Sequence, residues 1–249
     1  TISTPFSLDH SEPVEMDVPE YSRIVVETNT MSREEWVKTR FYSLCVQAFH
    51  CLGITQCFAI YIHLEKNVKY ADFYSKLIDY FSDKPGTVCG AALQRLLTKL
   101  SAFVRGETQW TCADSRFGNI AWPLEEYLYL LLAYDIKSVY SELRGFISGF
   151  GLDASVLREL FKYQENILKL QTENSESFKL EFDFVSYFDS AYRGCRKPLV
   201  KTPCTVYPER GGGYATFEEY ARETVWFGRR NGKMTYDFSA VTRDDERNL

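Results

Sequence analysis

Apolar and polar positions along this chain recur mostly at helical spacing. In "MSREEW" (31–36), Ser32 and Glu35 stand in the S-x-x-E spacing of a capping box, which predicts a helix start. Val37, Phe41, Leu44, Ala48 and Cys51 follow at steps of three or four, one apolar helical face. Gly53 marks a break, and residues 54–67 continue as an apolar core helix. Residues 70–81 predict a shorter amphipathic helix, stopped near Pro85-Gly86, and residues 87–106 predict another. Residues 122–151 put Pro123 at a first-turn position and predict one long helix. Asp153 caps a further helix through about Leu170.

The period then changes. Phe178, Leu180, Phe182 and Phe184 alternate with Lys179, Glu181 and Asp183, which predicts a half-buried strand. Residues 201–213 read as irregular. Thr216 and Glu219 form a second capping box and open a final helix, and residues 231–233 signal a turn. Near the start, Ile24–Val26 reads as a short strand. The expected fold is mainly α, one domain of about six helices with a few short strands near the N- and C-terminal ends. The expected organisation is an extended arm or linker at 1–20, marked by Pro5, Pro13 and Pro19, a single mainly helical domain at 21–240, and a charged, fraying tail at 241–249.

Bulk composition narrows the function classes. The 249 residues are enough to bury a core, and 45% hydrophobic with 25% charged is a globular balance. A net charge of −5 argues against a nucleic-acid partner. No apolar run reaches the roughly 18 residues a bilayer span needs. No signal peptide opens the chain, and a start at Thr1 without Met reads as a trimmed product or a piece of something longer. Seven cysteines without tight pair spacing fit free, mostly buried thiols in a cytoplasmic setting.

"VQAFHCLGITQC" (46–57) holds one of the three histidines and two of the seven cysteines. Cys45, Cys51 and Cys57 recur every six residues, so on a continuous helix they point about 120° apart and do not converge on an ion. His50 and Cys57 share a face but lie about 10 Å apart, too far to close on zinc. The chain has no C-x-x-C, H-E-x-x-H or C-x-x-x-C-x-x-C, so no metal site is expected and the thiols read as structural. Arg40, Ser43, Gln47 and His50, at steps of three, four and three, form a polar stripe opposite the apolar face. It is either a solvated face or a pocket wall, with Gln47 and His50 as donors to a ligand. Arg222, Trp226, Arg229, Arg230 and Lys233 form a second cluster, fit either to bind a phosphate or carboxylate or to complement a helix C-terminus. "RGGG" (210–213) is a flexible turn or a weak anion nest. Asp72, Asp79, Glu125 and Glu126 show no paired-carboxylate spacing.

Two long phrases carry a resemblance. "YSRIVVETNTMSREEWVKTRFYSLCVQAFHCLGITQCFAIYIHLEKNVKYADFYSKLIDYF" (21–81) resembles the C-terminal region of cobalamin (B12)-binding radical SAM proteins, and "TFEEYARETVWFGRRNGKMTYDF" (216–238) resembles their closing segment. Together they cover about a third of the chain, in the family's order. The resemblance implies a parent protein with a cobalamin domain and a barrel that holds a 4Fe–4S cluster on C-x-x-x-C-x-x-C and binds S-adenosylmethionine. This chain carries neither motif, so no cofactor is expected in it and no family catalytic residue transfers. The implied role is a C-terminal accessory domain that shapes the substrate side of a methyltransferase-like parent enzyme or docks a partner. Its implied partners are the upstream radical SAM and cobalamin domains and a small-molecule substrate, with no nucleic acid and no membrane. The rival expectation is a free-standing helical binding protein without enzymatic activity.

Overall fold

The computed structural model describes residues 1–12, 20–172, 177–208 and 213–236, and the backbone of Thr242–Arg243. The fold is mainly α. Among the described residues the elements are β1 (Ile2–Pro5), β2 (Tyr21–Ile24), α1 (Arg33–Val46), α2 (Gln56–Lys66), α3 (Tyr70–Ser82), α4 (Val88–Phe103), α5 (Leu124–Tyr134), α6 (Ile136–Ser148), α7 (Ala154–Ile167), β3 (Phe178–Leu180), α8 (Phe184–Tyr192), β4 (Cys204–Tyr207), α9 (Phe217–Tyr220) and β5 (Thr242–Arg243). β1 pairs antiparallel with β2, Ile2 opposite Ile24. β3, β4 and β5 form a second antiparallel sheet, with Phe178 opposite Val206 and Val206 opposite Arg243. The expected helices are joined by short additional ones, so the described residues hold more than the six anticipated.

Local chemistry accounts for most boundaries. The Ser32 hydroxyl accepts from the Glu35 amide at 3.2 Å, and the Glu35 carboxylate accepts from the Ser32 amide at 2.7 Å, a complete capping box. The side chains of Thr87, Asp153 and Thr216 cap α4, α7 and α9 by accepting from the amides of Gly90, of Ser155 and Val156, and of Glu219, without the reciprocal half of the box. The cores of α2 and α5 are almost wholly buried, and Phe58, Trp122, Leu128 and Leu130 are fully enclosed. Burying each such side chain stabilises by about 1.5–3 kcal/mol before entropy is counted.

Four expectations are corrected. The single helix at 122–151 is two: Asp135 leaves helical geometry (φ −127°, ψ 52°) and its carboxylate caps α6 through the Ser138 amide. The period-two run from Phe178 to Phe184 supplies only a three-residue strand, because Asp183 accepts from the Ser186 amide and starts α8. Phe178 and Leu180 are buried while Lys179 is exposed, so the alternation is real but short. The irregular stretch at 201–213 contains β4, the central strand of its sheet. Cys51, expected as a buried thiol, is exposed, whereas Cys45, Cys57 and Cys89 are buried and all seven cysteines are free.

The region expected as an extended arm runs over the helical body as far as it is described. The Thr4 hydroxyl donates to the Thr108 carbonyl at 2.8 Å, and the amides of His10 and Ala121 donate at 2.8 Å to the carbonyls of Ala121 and Ser11 respectively. Residues 13–19, 210–212 and 244–249 lie outside the described residues, and with them most of the RGGG turn and of the tail. Among the described residues no single helix is long and apolar enough to cross a membrane.

Candidate functional site

Residues 46–57 are one helix widened, bent and restarted. After α1 the chain makes a π-helical turn, Gln47–Cys51, with the Leu52 amide donating five residues back to Gln47 at 2.9 Å. Gly53 then takes φ +91°, where a side chain would also strike the Tyr236 ring, so only glycine fits. The α1–π segment and α2 meet at 94°. The backbone groups freed at this corner are answered from far away. Gln164 donates to the Gly53 carbonyl at 2.8 Å and accepts from the Cys57 amide at 2.9 Å, and the Thr235 hydroxyl donates to the Leu52 carbonyl at 2.7 Å.

The polar stripe does not stay one surface. Arg40 lies over the Trp110 ring at 4.9 Å and lines an apolar cavity of about 370 Å³ with Trp36 and Phe103. The Gln47 amide donates back to the Ser43 hydroxyl at 3.2 Å. His50 turns to α3, where its Nδ1 lies 2.7 Å from the Tyr74 hydroxyl and its ring meets Tyr70 edge-on. Burial lowers the pKa of His50, so it is neutral at neutral pH.

The second cluster separates too. α9 continues as a π-helical segment, Ala221–Gly228, with Arg229 just beyond it. A Cβ at Gly228 would lie 3.2 Å from the Glu223 carbonyl, five residues back, as the wide turn dictates. Arg222 pairs with Glu218 at 3.2 Å. Arg230 and Lys233 are exposed. Arg229 reaches inward to Glu126, whose carboxyl is 4% exposed.

Glu126 is the hub that spacing did not reveal. It sits in the first turn of α5, between Leu124 and Leu128, and goes inside with them. A buried carboxylate is costly unless paired. Here one oxygen accepts from Arg229 Nη1, and the other lies 2.6 Å from His10 Nε2. His10 is stacked on Trp226 at 5.1 Å and stands edge-on to Trp122 at 5.5 Å. Three distant segments thus meet on one carboxylate. Beside it, burial raises the pKa of Glu125, with the negative charge of Glu126 adding to the rise and Arg229 opposing it. Partial desolvation also raises the Cys51 thiol, exposed though it is, again against Arg229. The arrangement holds a half-exposed guanidinium near a carboxyl whose pKa burial raises, a cation placed to orient an anion. One signal was available in the sequence: Glu125-Glu126 heads an otherwise apolar helix, "LEEYLYLLLAY".

Among the described residues the side chains do not gather the thiolates that an iron–sulfur cluster needs. Among the described residues no group of three or more His, Cys, Asp or Glu side chains could hold a metal ion. The three histidines are engaged separately, His10 with Glu126, His50 with Tyr74 and His63 with the Val68 carbonyl.

Comparison with known proteins gives distant relatives. The chain is 28% identical over 175 residues to the 2-(S-pantetheinyl)-carbapenam-3-carboxylate methyltransferase of Streptantibioticus cattleyicolor, covering 64% of this chain and 24% of that protein. It is 26% identical over 190 residues to the cobalamin-dependent radical SAM methyltransferase TokK of Streptomyces tokunonensis, covering 69% of this chain and 28% of that protein. The chain therefore spans about a quarter of the length of the curated relatives it matches. No family model matches it.

Proposed function

We propose that this chain is a helical accessory unit of a cobalamin-dependent radical SAM enzyme, C-terminal to the parts that carry the chemistry. The observation that carries this reading is the mismatch of coverage: the match takes in 64–69% of this chain but only 24–28% of the relatives. In such a parent, the 4Fe–4S cluster, S-adenosylmethionine and cobalamin supply radical methyl transfer.

This chain's own residues would shape the substrate side. Glu126 fixes Arg229 and, through His10, the indole of Trp226, so the guanidinium is held ready for a substrate carboxylate or phosphate. Arg40, Gln47 and His50, each with its own neighbours, stand as further ligand-binding candidates.

Two measurements test this. The coding sequence before Thr1 should run in frame into a cobalamin domain and a C-x-x-x-C-x-x-C triad; a start codon near Thr1 would instead leave a free-standing helical binding protein. In the reconstituted parent enzyme, with the carbapenam named for the first relative as the initial probe, Arg229→Met should raise KM at least tenfold with a smaller change in kcat. Unchanged KM would remove Arg229 from the substrate side.

A further inference from the structure

On the surface formed by α4 and the segment that follows it lies an open cavity of about 580 Å³. That volume falls within the roughly 300–1,000 Å³ typical of small-molecule sites. One face of α4 supplies Gln94, Arg95, Thr98 and Lys99, and the following segment supplies Thr108 and Cys112. The opposite face of the helix, with Leu93, Leu96 and Leu100, is buried in the core.

We propose that this cavity binds a small molecule through a carboxylate or phosphate group seated between Lys99 and Arg95. Lys99 is half-buried, and its ammonium donates to the Thr108 hydroxyl at 2.5 Å. No carboxylate among the described residues pairs with it. Burial accordingly lowers its pKa, the mark of a cation drawn out of water without a counter-charge. Arg95 is nearly as free. Its guanidinium lies 3.7 Å from Asp114, beyond a charge-assisted hydrogen bond, and Arg116 already holds that carboxylate at 3.0 and 2.7 Å. The Arg95 guanidinium rests over the Tyr127 ring at 5.3 Å, which orients it while leaving its N–H groups to a ligand. Gln94 and Thr98 add neutral donors. Burial keeps Cys112 as the thiol, so the wall carries no thiolate to repel an anion. A lone, desolvated lysine facing open space is a stability cost that an anionic ligand would cancel.

The site stands apart from the methyltransferase reading, and its test needs no cofactor. Thermal melts of the 249-residue chain would be run in inorganic phosphate and in succinate, each against sodium chloride of equal ionic strength. The Tm should rise saturably with one of the two anions and not with chloride, as binding to the folded state alone requires. A response to phosphate assigns a phosphate-bearing ligand, and a response to succinate assigns a carboxylate-bearing one. Lys99→Met should weaken the responding anion at least tenfold and leave the ligand-free Tm unchanged or higher. Arg95→Gln, at an exposed position that keeps the fold, should weaken it several-fold. Equal shifts in chloride, or a wild-type response in both variants, would overturn the proposal.

Discussion

The two π-helical segments share a geometry and differ in where their side chains find partners, although the backbone at the first corner is also answered from far away. In Gln47–Cys51 the side-chain partners are near: Gln47 bonds Ser43, four residues back, and His50 bonds Tyr74 on a neighbouring helix, 24 residues on. In Ala221–Gly228 and the residue after it, the partners come from distant parts of the chain. Arg229 meets Glu126 across 103 residues, and His10, which stacks on Trp226, meets the same Glu126 across 116. The first wide turn lets a core helix turn a corner. The second is one jaw of a clasp that joins the N-terminal stretch, α5 and the C-terminal helix. Each contact closes a loop of more than 100 residues.

The clasp and the corner can be pulled apart by mutation. Glu126→Ala should give the largest effect. It strands a half-buried guanidinium and a stacked imidazole, at a cost of about 2–4 kcal/mol, discounted from a fully buried pair because Arg229 is 36% exposed. Urea denaturation measures it, and a loss under about 1 kcal/mol would mean that the clasp is not a unit.

Next comes His50→Ala, which leaves the buried Tyr74 hydroxyl with only the longer 3.4 Å contact to Thr55. About 1–3 kcal/mol is expected, while Gln47→Ala should stay within about 0.5 kcal/mol. The two changes would cost the same if the corner were a plain solvated face.

His50 also sets a pH signature. Its folded pKa is lowered below the ordinary 6.5, so between those two values the unfolded chain binds the proton more readily. Stability is therefore full above about 6.5 and falls as pH drops below it. The His50→Ala variant should lose that part of the slope; an unaltered slope would place the titration elsewhere.

The smallest effect is expected at Glu125. Its folded pKa is raised above the ordinary 4.5, so the folded chain holds the proton more tightly and stability declines as pH rises from 4.5 through the folded value. Glu125→Gln should raise Tm at pH 7 by about 1–2 °C, equivalent to about 0.5 kcal/mol in a chain of this length, and do nothing at pH 4. A gain that persists at pH 4 would point to packing in place of charge.

Much of the helical scaffold was legible residue by residue. The Ser32–Glu35 box, the caps at Asp153 and Thr216 and the break at Gly53 are local chemistry, written in residues three or four apart. Where two local signals competed, spacing misled. The Phe alternation at 178–184 predicts a half-buried strand throughout, but Asp183 can also cap a helix, and the burial of Phe184 and Phe188 against Tyr163 decides for α8. Asp135 splits 122–151 for the same reason, its side chain offering the Ser138 amide a bond that a continuous helix would not use.

By itself, the sequence determined the helical class and most helix starts, because each rests on periodicity or spacing within a few turns. Only the tertiary structure decided which polar residues meet. Arg40 and His50, close in sequence, were sent to different neighbours by a wide turn. His10, Glu126 and Arg229, with no spacing to link them, were brought together because a carboxylate carried inside on an apolar helix must find its counter-charges wherever the fold can bring them.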